Sequence, residues 1–284
     1  MSIGIVRALS LLNSQRPTRP ARAVAEPARV QRHRHGLSRV PATWIDADRA
    51  TTGTIVHVHG GAFVQGEQPA HWEWLEEVAR RSETAGAMIH YRMAPRFPFP
   101  TAVEDVVHAL ESMSQESRLR PGRWVLSGDG AGAGIALAAA LVLAENPLDT
   151  PAQLLLTAPW ADLTRPVVVD EELEHLASLY RGVADPRDPR LSPLLGDLGQ
   201  LPPVQLITGT DSPVLTDTDR LRDALTAAGG APELLVEEGE AATYPLAGAG
   251  PRTQRARRAQ IAAVRRVLGL DPADRAVGTA IVGE

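Results

Sequence analysis

Residues 124–145 read W-V-L-S-G-D-G-A-G-A-G-I-A-L-A-A-A-L-V-L-A-E. Four strand-forming residues (124–127) run into glycines at 128, 130 and 132. An alanine- and leucine-rich stretch (133–145) with helical character leaves them. Glycine adopts positive φ without strain and has no Cβ, so such a turn lets backbone approach a ligand closely. The helix that follows offers unpaired N–H groups and the positive end of its dipole. A nucleophilic side chain at the apex of the turn would stand exposed to a substrate. The apex here is Gly130, which has no side chain.

On either side of this stretch the chain alternates strands and helices. The run 54–59 (T-I-V-H-V-H) is β-branched and ends in Gly60-Gly61, so a buried strand delivers a second glycine loop. Residues 72–84 predict a helix, 87–91 a strand, 92–100 a proline-rich loop and 101–114 a helix. In that last helix Val103, Val106, Val107, Leu110 and Met113 fall at helical spacing. Strands follow at Gln153–Thr157, 204–208 and Glu233–Glu237, with helices at 217–228 and 252–268. An edge strand pair is expected within 38–48. A polar, proline-punctuated excursion spans 162–190 and carries a helix over Glu171–Arg181. Residues 1–36, rich in Arg and Pro with a short helix over 3–12, read as a loosely ordered lead-in and partial cap, and 271–284 as a loose tail. One domain over 37–270 remains, of α/β class, with a mainly parallel sheet flanked by helices and a small cap. Ligands of such sheets bind beyond the carboxyl ends of the strands.

Composition narrows the chemistry. The 284 residues carry 44% hydrophobic and 22% charged residues and a net charge of −5, which suits a soluble domain and points to no nucleic-acid partner. There is no cysteine, hence no thiol nucleophile, disulfide or thiolate metal site. Every basic residue other than histidine is arginine, which removes lysine Schiff-base chemistry. No H-E-x-x-H or similar metal motif is present, so neither a metal nor a cofactor is expected. No apolar run is long enough for a membrane span, and no signal peptide is expected, so a cytoplasmic location is. A homodimer is left open.

In order along the chain, His59-Gly60-Gly61-Ala62-Phe63, Tyr91-Arg92-Met93-Ala94-Pro95 with Asp105, Gly128-Asp129-Gly130-Ala131-Gly132, Pro159-Trp160-Ala161-Asp162-Leu163 with Ser192-Pro193-Leu194, and Gly209-Thr210-Asp211 resemble the motif set of the hormone-sensitive-lipase-like esterases of α/β-hydrolase fold. The resemblance spans about residues 40–268. It implies an oxyanion hole from the N–H groups of Gly60, Gly61 and Ala131, and a pocket lined by Ala62, Phe63, Gly130, Trp160, Ala242 and Tyr244.

The departures matter as much. Glycine replaces the elbow serine. Anchoring on Gly239 and Tyr244-Pro245 puts Ala242 where the family has its histidine, and no histidine follows His175. The acid position falls on Asp211 or on Ser212, depending on the anchor. Ester hydrolysis on this scaffold needs hydroxyl, imidazole and acid together. The expectation is therefore a non-hydrolytic enzyme of lyase, dehydratase or cyclase type, using the retained oxyanion hole on a small, fairly apolar carbonyl or carboxylate compound. A non-catalytic ligand-binding protein and a weak residual carboxylesterase are the alternatives. Candidate acid/base residues are Asp129, Asp211 and His175, with His57, His59, His90 and Tyr244 weighed as well; His57, His59 and His90 read as structural. The pattern Gly128-x-Gly130-x-x-Ala133 also fits a dinucleotide fingerprint, but the next strand ends in Ala158-Pro159-Trp160 with no acid to hold a ribose.

Overall fold

The computed structural model describes residues 16–35, 40–144, 150–167 and 170–271. Among these, eight strands form one sheet: β1 (Val30–His35), β2 (Val40–Ile45), β3 (Thr54–Val58), β4 (Ala85–Ile89), β5 (Trp124–Asp129), β6 (Gln153–Thr157), β7 (Val204–Gly209) and β8 (Glu233–Glu237). Their spatial order is β1-β2-β4-β3-β5-β6-β7-β8. β2 runs antiparallel to both neighbours, and every other pairing is parallel. The helices are α1 (Pro69–Ser82), α2 (Thr101–Gln115), α3 (Ala131–Leu143), α4 (Glu171–Arg181), α5 (Leu215–Ala227), the single turn α6 (Tyr244–Ala247) and α7 (Pro251–Val267).

Alternation along the central strands feeds two cores. Val56, Val58, Trp124, Leu126, Leu154 and Leu156 pack with α2, α3 and α5 on one face. Ile55, Val125 and Leu155 pack with Trp74, Leu75 and Val78 of α1 and Ile261 and Val264 of α7 on the other. Burial on both faces is why these strands read as continuous apolar runs. α3 is buried around nearly its whole circumference, which explains its lack of a polar stripe. His57 and Ser127 sit side by side on the α1 face of the sheet, paired in register between β3 and β5.

The edge strand pair expected within 38–48 is instead β1 with β2, and only β2 lies in that range. Part of the lead-in expected to be loose is β1, an edge strand that pairs with β2 over its full length. V-Q-R-H-R-H offers almost no apolar signal. The strand is held by backbone pairing and by His35, fully buried, whose ring accepts from Trp44 Nε1 at 3.1 Å and meets Glu116 at 2.9 Å. Upstream, the indole of Trp72 donates to Thr18 Oγ1 at 2.8 Å, while the Thr18 N–H donates to the Glu67 carboxylate. The helix expected over 3–12 and all but Asp271 of the expected tail lie outside the described residues. α3 begins two residues earlier than its expected start, immediately after Gly130.

Candidate active site

The turn between β5 and α3 is sharp. Gly130 takes φ 51°, ψ −119°, donates its N–H to Thr157 O at 2.9 Å and accepts from Trp160 N at 3.1 Å. The flanking glycines are there for space. A Cβ on Gly132 would lie 2.2 Å from Val58 O, and one on Gly128 would lie 2.6 Å from Gly132 O. Gly130 differs from both, because a Cβ there would meet nothing within 4 Å.

The loop after β3 faces this turn. Gly61, Ala62 and Phe63 all have positive φ (114°, 49° and 68°), a coil that keeps the loop tight. Tyr91 donates its hydroxyl hydrogen to His59 O at 2.7 Å and stacks on the His59 ring at 4.5 Å. Between loop and turn lies a cavity of about 290 Å³, lined by Gly61, Ala62, Asp129, Gly130, Ala131, Trp160 and Ala242 among others. No described acceptor takes the N–H of Gly61, Ala62 or Ala131, so three donors border the cavity. Gly60 does not belong with them: its N–H donates to Asp129 Oδ1 at 2.8 Å. The donor triplet is shifted one residue along the loop from the expected set, because the buried carboxylate claims the first glycine.

Beneath this cavity lies a buried polar cluster. Asp129 meets His71 Nε2 at 3.2 Å and His57 Nε2 at 3.3 Å. Burial alone would raise the Asp129 carboxyl, but the two rings more than offset it and hold it well below the usual carboxylate range. Burial also pushes His57 down, against the pull of Asp129. Gln68 N–H donates to His71 Nδ1 at 2.7 Å, closing a capping box at the start of α1 and leaving the His71 proton on Nε2. Glu67, 4% exposed, lies 3.2 Å from His90 Nδ1 and 3.6 Å from His59 Nε2. His59 falls to about 4 through burial, and His90 keeps Glu67 ionised against its own desolvation.

The fold agrees with the comparisons. A family model described as alpha/beta hydrolase fold matches residues 55–245. The chain belongs to the α/β-hydrolase family. Within it, the similarity is to the hormone-sensitive-lipase-like esterases. A solved esterase of the bacterial hormone-sensitive lipase family superposes with a TM-score of 0.76 at 26% identity, covering 94% of this chain and 99% of that one. An acetyl-hydrolase of Streptomyces hygroscopicus is 34% identical over 200 residues, 66% of this chain and 67% of that protein. An esterase of Acinetobacter venetianus is 31% identical over 200 residues, 66% of each. The chain thus matches about two thirds of the length of these two relatives.

In this α/β-hydrolase the expected pocket residues separate. Gly61, Ala62, Gly130, Ala131, Trp160 and Ala242 line the cavity. Phe63 and Tyr244, each 2% exposed, do not: Phe63 stacks at 4.0 Å on Tyr180 of α4, and Tyr244 opens α6 inside the core. Asp211 is exposed with its N–H on Glu240 O, and His175 is exposed on α4, so neither candidate base lies in the lining. The Ser212 hydroxyl accepts from Val214 N at 3.3 Å, outside the cavity. Asp129 does border it, already bonded. Sequence reading missed Gln68, His71, Leu173, Val214, Thr243 and Leu246. A Gln-Pro helix start with histidine at its third position was visible, but the meeting of His71 with a carboxylate 58 residues away was not.

No helix among the described residues is long and apolar enough to cross a membrane.

Proposed function

We propose that this α/β-hydrolase binds small, neutral acyl compounds, esters foremost, in the cavity beneath the elbow, and that its own hydrolysis of them is residual. One observation carries the reading. Gly130 keeps the φ 51°, ψ −119° conformation that would present a nucleophile, ringed by the N–H groups of Gly61, Ala62 and Ala131, yet the space of the side chain is open. Backbone donors of this kind stabilise a carbonyl oxygen as it gains charge, with or without a serine. The names of the relatives, acetyl-hydrolase and esterase, support a small acyl group as the ligand class. No arginine is in the lining and the anionic Asp129 is, so a neutral carbonyl fits better than a carboxylate.

The missing hydroxyl and imidazole set the rate. Losing serine or histidine from such a triad costs about 10⁶ in turnover, leaving roughly 10³–10⁴ over water from the donors and binding. A lyase, dehydratase or cyclase would need a free base. The titratable side chains of the lining are His71 and Asp129, which bind each other. The residual-esterase reading is therefore preferred to elimination or cyclisation. Turnover of p-nitrophenyl acetate tests it. The parent should run at no more than about 10³–10⁴ over the buffer rate, and Gly130→Ser with Ala242→His should raise its rate by about two orders of magnitude or more. Parent turnover equal to that of the double variant would overturn the reading.

A further inference from the structure

The geometry points to a second, unassigned feature: His57, His71 and Asp129 form a site for a divalent transition-metal cation of the zinc class, on the floor of the cavity. The Ser127 hydroxyl donates to Val56 O at 3.1 Å, so toward His57 Nδ1, 2.9 Å away, Ser127 Oγ acts as acceptor. With the hydroxyl hydrogen on Val56 O, His57 carries its own hydrogen on Nδ1 and turns a lone pair on Nε2 toward Asp129. That Nε2 is fully buried, has no hydrogen-bond partner, and lies 3.3 Å from Asp129 Oδ1. A lone pair buried against an ionised carboxylate oxygen is a place that a cation fits.

The third corner is His71 Nε2, 3.2 Å from the same carboxylate oxygen, and one ligand atom from each residue lies within 4.8 Å of the others. Ligands at about 2.0–2.1 Å from a tetrahedral ion stand roughly 3.3 Å apart, which both nitrogen–oxygen separations match. The supports are those a metal site uses. His57 Nδ1–H is oriented by the Ser127–Val56 relay, and Asp129 Oδ1 is steadied by the Gly60 N–H. One contact opposes loading. His71 Nδ1 accepts the Gln68 N–H, so metal at Nε2 must move the ring hydrogen to Nδ1 and release that capping bond. Loading is thereby expected to expose the Gln68 amide to exchange.

Asp129 and His71 border the cavity beside the open position at Gly130, so an ion held by them would lie next to the cavity. There it could polarise water in a site without a hydroxyl nucleophile. The net step is ester plus water to carboxylate, alcohol and a proton. The water oxygen bonds the acyl carbon, the ester C–O bond breaks, and the alcohol leaves with a hydrogen from water. The site rests on ligand geometry and not on the proposed acyl ligand, so failure to bind esters would leave it standing.

Calorimetric titration of the untagged, chelator-treated full chain with Zn²⁺, and absorption spectroscopy with Co²⁺, test the site. Expected are one ion per chain, the intense visible bands of tetrahedral cobalt, a higher melting temperature, and faster Gln68 amide exchange. His57→Gln and His71→Gln should each weaken binding by about 100-fold or more, while His33→Ala on the exposed edge strand should not. Absence of stoichiometric binding, or affinity undiminished in both glutamine variants, overturns the proposal. Should those variants fail to fold, the parent cobalt spectrum decides: weak octahedral bands alone would refute it.

Discussion

Gly130 and Gly132 are two residues apart and obey different constraints. At Gly132 the obstacle is backbone: Val58 O and His59 O would stand 2.2 and 2.3 Å from a new Cβ, and neither can move without unpairing β3. At Gly130 the only obstacle is the backbone itself, whose φ 51°, ψ −119° is sparsely populated and costs an L residue about 1–3 kcal/mol. Gly130→Ser is therefore expected to fold with a loss of that size. Gly132→Ala should lose more than about 3 kcal/mol, as over-packing against rigid atoms does at its upper end. Urea denaturation of the two variants checks this, and equal losses would show that the elbow is looser than described. The same contrast bears on function, since the open position at Gly130 is the one place in the turn that tolerates a restored hydroxyl.

Among the elements, α4 decides the shape of the cavity. Its Leu173 lines the wall, its N-terminus is capped by Asp170, which accepts from Leu173 N at 2.9 Å, and its Tyr180 lies flat on Phe63 at 4.0 Å with an interplanar angle of 1°. Phe99 donates its N–H to Tyr180 O at 2.9 Å, tying the helix to the proline-rich loop as well. Through Phe63 the cap helix clamps the loop that carries the Gly61 and Ala62 donors. Tyr180→Ala should destabilise the chain by about 3–5 kcal/mol and weaken ester binding, because both the stack and the loop's support go. Tyr180→Phe keeps the ring and should stay within about 1 kcal/mol of the parent, with binding unchanged. Thermal unfolding and competition with p-nitrophenyl acetate separate the two roles. Lost stability with unchanged ligand affinity in Tyr180→Ala would mean that the clamp is only structural.

At the scale of the molecule, buried titratable groups set the pH response. Asp217 of α5 accepts the N–H groups of Ala161 and Asp162, both at 3.0 Å, yet burial pushes its carboxyl up to about 6. The folded chain keeps a proton there that the unfolded chain releases near its ordinary value of about 3.9. This contribution is full below about pH 4 and is lost as pH rises through 6, a change of about 3 kcal/mol. His59 works the other way. Held at about 4 when folded, it contributes stability that is full above the unfolded value of about 6.5 and lost as pH falls toward 4. The two partly cancel between pH 4 and 6.5. Asp217→Asn removes only the first. Its stability should match the parent near pH 4 and exceed it by up to about 3 kcal/mol at pH 8. Parallel curves for parent and variant in urea unfolding across this range would rule the assignment out.

How much of this was legible in the sequence follows from the range of each interaction. The strand–glycine–helix turn, the glycine loop after β3 and the alternation of strands with helices are local patterns, read directly from residues 54–63 and 124–143. The absence of a side chain at Gly130 and of an imidazole at Ala242 is likewise plain in the letters. Tertiary structure alone settled the rest. β1 is a strand because β2 offers it a partner, not because its residues prefer one. Gly60 is withdrawn from the cavity because Asp129, 69 residues on, takes its N–H. Asp211 turns outward, whereas His57 and His71 converge on Asp129 from three separate segments of the chain. Local sequence specifies which backbone forms an element. Which polar atoms face one another out of water depends on distant segments brought together, and that determined the chemistry beneath the elbow.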